Sequence, residues 1–139
     1  QLACYPDRFL FCYPFIFVRK PLEEIPAYKI SEPLGDYTWE IVSGWSILAQ
    51  KTIGEQLLRV IDSISANIAE AYGRYFKKDK IKFFIYSRGS VREAIHWVNK
   101  AKERKLLSPK QAQYLLQELN KLPKELNYLI KMTDKNLSR

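Results

Sequence analysis

The residues of this 139-residue chain best placed for chemistry are polar side chains that interrupt apolar helical faces: Asp62, Asn67, Glu70, Arg74, Arg88 and Glu93. Asn67, Glu70 and Arg74 recur at three- and four-residue spacing, so they share one helix flank. Arg88 and Glu93 belong to Arg88-Gly89-Ser90-Val91-Arg92-Glu93, where a mid-helical glycine points to close approach of a neighbouring helix. Two uses are open to this set. Arg88 paired with Glu70 or Asp62 would fix the register of two helices. Alternatively, Arg74, Arg88 and Arg92 contact phosphate.

Catalysis has little to work with. His96 is the single histidine, so a Ser–His or His–metal constellation would need unusual partners. Glu93-Ala94-Ile95-His96 has the spacing of one half of a di-iron site, but a second copy needs a second histidine. Gly73-Arg74 and Gly89-Ser90 are isolated and form no phosphate loop. Cys4 and Cys12 lack partnering histidines, so they are not a metal motif. The expectation is a non-enzymatic protein with no metal and no cofactor.

The charge is unevenly distributed. The whole chain carries +8, with a pI near 9.5. Residues 28–71 hold three basic and six acidic side chains, whereas residues 72–105 hold eleven basic and three acidic. The second stretch alone therefore has a surplus equal to the total. Such concentration favours a polyanion partner. The candidate phosphate contacts are Arg74, Lys77, Lys78, Lys80, Lys82, Arg92, Lys100, Lys102 and Lys105. Aromatic residues interleave with them (Tyr72, Tyr75, Phe76, Phe83, Phe84, Tyr86, Trp97), as on surfaces that bind single strands. At helical spacing Phe84 reads as core, whereas Phe83, Tyr86 and Trp97 lie off the main stripe and suit a subunit interface.

Four helical stretches must position these residues. Ser31 reads as the N-cap of the first, with Pro33 in its first turn, and Leu34, Tyr37, Ile41, Trp45 and Leu48 share a face. Gly54 marks the turn that follows. The second runs from about Glu55 to about Tyr75, with Leu57, Ile61, Ile64, Ile68 and Tyr72 in one stripe. The third is basic and spans Lys77 to Lys105; its stripe is Ile81, Phe84, Ile85, Val91, Ile95 and Val98, interrupted by Arg88. Ser108-Pro109 starts the fourth as N-cap and N1. Its stripe is Leu115, Leu119, Leu122, Leu126, Leu129 and Met132 or Thr133, with Pro123 expected to kink or divide it. Short connections make successive helices antiparallel neighbours. The fold class is all-α, an antiparallel up-and-down four-helix bundle over residues 28–139. Residues 1–27 read as an N-terminal extension outside the core fold. Its apolar run Phe9–Val18 is too short to span a membrane, and the domain reads as cytoplasmic.

Two motifs add a resemblance. Asp62-Ser63-Ile64-Ser65-Ala66-Asn67-Ile68-Ala69-Glu70-Ala71-Tyr72-Gly73-Arg74, followed by Arg88-Gly89-Ser90-Val91-Arg92-Glu93, resembles the double motif of the bacterial 23S rRNA intervening-sequence family. Ala71 stands where that family usually has glycine. The resemblance implies an antiparallel four-helix bundle that forms a homopentamer. Through the related accessory variability determinants of diversity-generating retroelements, it also implies partners: nucleic acid and a reverse transcriptase. Asp62, Asn67, Glu70, Arg88 and Glu93 would then be family-motif positions. The leading functional expectation is a basic oligomeric bundle that binds the RNA or DNA backbone. The alternative is a protein-interaction scaffold that docks an acidic partner or a reverse transcriptase.

Overall fold

The computed structural model describes residues 20–137. The apolar run Phe9–Val18 and both cysteines lie outside the described residues. Four long helices make up the domain: α1 (Pro26–Ser43), α2 (Glu55–Gly73), α3 (Lys77–Glu103) and α4 (Pro109–Asn136). Helix α1 packs on α2 and α4, and α3 packs on the same two, so α1 and α3 occupy opposite corners of the bundle. No strand occurs among the described residues.

Helix α1 begins earlier than Ser31. Pro26 takes the first helical position after an extended Ile25, where its missing N–H costs nothing. Ser31 is instead an interior residue, buried, with its hydroxyl donating to the Tyr28 carbonyl at 3.3 Å. The buried face is Ala27, Ser31, Leu34, Thr38 and Val42. Tyr37, Ile41 and Trp45 flank it half-buried, while Leu48 lies beyond the helix, 76% exposed. Ile25 and Ala27 both belong to the core, so the packed domain reaches back before residue 28. Burial of these two apolar residues outweighs the capping signal of Ser31.

Between α1 and α2, a short helical turn capped by Ser46 runs into a π-helical turn at Gln50–Gly54. Gly54 has ordinary helical dihedrals there. What it supplies is space: a Cβ at this position would lie 2.7 Å from Val42 Cγ1 and 3.2 Å from the Ala49 carbonyl. The glycine thus lets the connection pack directly on α1.

Helix α2 carries its expected stripe. Leu57, Ile61, Ile64 and Ile68 are fully buried. Helix α3 is turned relative to the expected stripe: Phe84, Ser87, Val91, Ala94, Val98 and Ala101 face the core, while Ile85 is exposed. Ser87 replaces Arg88 in that row, because its hydroxyl can be buried by donating to the Ile64 carbonyl at 2.8 Å. A guanidinium there would be stranded. Small residues at the α2–α3 seam, including the hydrogen-bonded pair Ser63–Ser90 at 2.8 Å, permit close contact.

Ser108 and Gln111 form a reciprocal capping box at the start of α4. Pro123 neither ends nor divides the helix, which continues to Asn136. The rows on both sides of the proline, from Leu115 to Thr133, are buried. Their packing outweighs the one helical hydrogen bond that proline removes.

Candidate nucleic-acid interface

The candidate phosphate contacts divide into two groups. The first is committed to the fold. Lys80 is half-buried, and its Nζ donates to the carbonyls of Ala71 (3.2 Å) and Tyr72 (3.0 Å) at the C-terminus of α2. A cation suits that helix end, and burial pulls the Lys80 pKa below the usual lysine value. Lys77 pairs with Asp134 of α4 at 2.9 Å. Arg74 pairs with Glu70 one turn back on α2, and its guanidinium carbon lies 4.7 Å from the centroid of the Phe83 ring. Lys100 pairs with Glu103 at 3.5 Å.

The second group comprises Lys78, Lys82, Arg92, Lys102 and Lys105. All are exposed and make no ion pair among the described residues. Lys78 and Lys82 lie one turn apart on the outward face of α3. Arg92 follows on the flank beside α4, and Lys102 lies next to Pro109, Gln113 and Leu116 of α4. At about 1.5 Å per residue, Lys78 and Lys102 are roughly 36 Å apart along the helix. Lys105, just past the helix end, adopts a positive φ of 58°.

The motif residues fall in different places from the expected pairing. Arg88 meets neither Glu70 nor Asp62. Its Nη1 donates to Asn127 Oδ1 of α4 at 2.7 Å, because Arg88 projects from the α4 flank of α3 and the two acids belong to α2. Glu70 is taken by Arg74. Glu93 accepts from Trp97 Nε1 at 3.2 Å, and His96 stacks edge-on against Trp97 at 5.0 Å. Asn67 is half-buried on α2. Gly89 has no close neighbour: a Cβ there would meet nothing within 4 Å. The mid-helical glycine therefore leaves an open surface rather than admitting a helix.

Close approach occurs instead at Gly35 of α1, where an added Cβ would overlap Asp62 Oδ1. Loss of solvent there, followed by the nearby Asp36 charge, pushes the Asp62 carboxyl above the usual aspartate range. A raised folded-state pKa means that ionised Asp62 opposes folding above that pKa, and that the penalty fades as the pH falls and the group protonates. Asp62→Asn is therefore expected to stabilise the protein at neutral pH by about 0.5 kcal/mol, discounted for solvent screening. Urea unfolding at pH 7 and pH 3 checks this: the gain should be present at the first and absent at the second.

Sequence reasoning missed Asn120 and Asn127. They line a cleft between α3 and α4 with Arg88, Gly89 and Arg92, and the available signal was the polar residues bordering the leucine row around Pro123. No group of three or more His, Cys, Asp or Glu residues among the described ones is arranged to hold a metal ion. No helix among the described residues is long and apolar enough to cross a membrane.

Comparison with known proteins agrees with this architecture. A crystal structure from Bacteroides thetaiotaomicron, of a protein of unknown function from the S23 ribosomal protein family, superposes with a TM-score of 0.67 at 19% identity. The superposition covers 76% of this chain and 95% of that one. No curated protein matches the sequence. The family described as 23S rRNA-intervening sequence protein matches residues 23–128, which include all of α1, α2 and α3, most of α4 and both motifs; the chain belongs to that family.

Proposed function

We propose that the protein is a non-enzymatic, basic four-helix bundle that binds the phosphate backbone of RNA or DNA through α3. One observation carries the reading: Lys78, Lys82, Arg92 and Lys102 are exposed along one helix and are not neutralised by carboxylates among the described residues. Cations already paired within a fold gain little from phosphate, whereas these four are free to displace the counterions of a polyanion. A homo-oligomer, which we include in the proposal, would repeat that face and add avidity without new contacts.

The test is a salt titration of binding to a labelled nucleic acid. Backbone contacts predict a log–log slope of roughly −3 to −4 for four neutralised phosphates on a duplex, with little dependence on base sequence. Affinity unchanged between low and high salt would refute the mechanism. A second reading has its own support. Trp39, Ile47 and Leu48 are 64%, 70% and 76% exposed near the α1–α2 connection, an apolar surface suited to a protein partner. Capture of a protein partner that survives nuclease digestion and is lost on replacing these three residues would favour it.

A further inference from the structure

The cleft between α3 and α4 combines features that phosphate contact alone does not need. It is an open groove of about 540 Å³ with Ile85, Val91, Ile95 and Pro123 as apolar lining. Two guanidiniums, Arg88 and Arg92, stand one turn apart at its edge, and neither pairs with a carboxylate among the described residues. Asn127 fixes Arg88 by accepting one of its N–H groups, so that arginine is held in place before any ligand arrives. The other amide, Asn120, donates to the Leu116 carbonyl at 2.8 Å. Each amide keeps one half unspent by these bonds: an oxygen on Asn120 and an NH2 group on Asn127. Gly89 adds no side chain to the cleft wall, and the space where one would begin is empty.

We infer that this cleft takes an unpaired nucleotide of a single-stranded nucleic acid. The phosphate would sit on Arg88 and Arg92, and the base would enter between Ile85, Ile95 and Pro123, where the asparagine amides meet its hydrogen-bonding edge. Guanidiniums match phosphate oxygens in a fork geometry. Unpaired bases expose a flat apolar face together with donors and acceptors that a duplex keeps inside its stack. The inference rests on the proposed backbone binding and adds a strand preference to it. Charge alone gives the opposite preference, because counterion release per contact is smaller for single strands than for duplexes.

Gly89→Leu tests the cleft directly. The leucine would add bulk at the rim of the cleft, which Gly89 lines and where an added Cβ meets nothing within 4 Å, and it is also a better helix former than glycine, so folding is retained. Gly89→Ala leaves the cleft open and serves as the control. Affinities of a short fluorescent single strand and of the corresponding duplex are measured at the same salt for all three proteins. The expected result is single-strand binding about tenfold tighter than duplex binding, the order expected from burying part of one base against aliphatic side chains. That margin should be abolished by Gly89→Leu and kept by Gly89→Ala, with duplex affinity unchanged throughout. Equal affinity of the natural protein for both forms, or a preference untouched by Gly89→Leu, would overturn the inference and leave the backbone reading standing. Absence of binding to either form overturns both.

Discussion

Phe84→Ala is expected to lower the unfolding free energy by about 3–5 kcal/mol. Phe84 is 2% exposed and is among the largest fully enclosed side chains in the domain. It projects from the basic helix into the core, so it anchors α3, the element that carries the candidate interface. Its removal deletes transfer free energy and also leaves a cavity, which rigid helices close only in part. Against the 5–15 kcal/mol that is usual for a domain, this is a large fraction. Thermal unfolding followed by circular dichroism should show a strongly lowered midpoint. A shift of only a few degrees would mean that α3 is held by other contacts.

The second large effect concerns binding. Reversal of Lys78, Lys82 and Arg92 to glutamate takes the net charge from +8 to +2. All three are exposed and make no ion pair among the described residues, and Lys82 gives up only its contact 5.4 Å from the Phe83 ring centroid, so stability should change little. Affinity for a duplex should fall by roughly 100-fold or more at moderate salt, with a shallower salt slope. Lys80→Ala supplies the contrast. Loss of its two bonds to the end of α2 is expected to cost about 1.5–3 kcal/mol of stability while leaving duplex affinity near that of the unaltered protein. Fluorescence anisotropy and urea unfolding on the same preparations separate the two kinds of lysine. Unchanged affinity in the triple charge reversal would place the interface elsewhere.

That separation also marks how far the sequence could be read. Helix number, order and the stripes of α2 and α4 were legible because long apolar rows at helical spacing leave few alternatives. The start of α1 was misplaced because Ser31 carries a capping signal that its burial overrides. The face of α3 was misread for a related reason. Ile85 has the right character for a core position, but Ser87 and Ala94 are smaller and let α3 approach α2, and the small residues won the buried row. Charge density along the chain was legible. Which cations were free was not, because Lys80 and Lys77 find their partners on α2 and α4, elements that sequence neighbours do not reveal. Asn127 was invisible for the same reason: its significance exists only once Arg88 faces it across the α3–α4 seam.

The placement of α1 and α3 at opposite corners has a kinetic consequence. Helix α1 carries Lys29 against Glu32, Asp36 and Glu40, whereas the basic stretch builds α3 at the opposite corner. The bundle is therefore an electric dipole across its width. A polyanion several ångströms away exerts a torque on it, turning α3 forward and α1 to the rear before contact. Fewer collisions are wasted on the wrong side, so association is accelerated by orientation as well as by attraction. Neutralising Glu32, Asp36 and Glu40 on α1 would raise the net charge yet weaken this alignment.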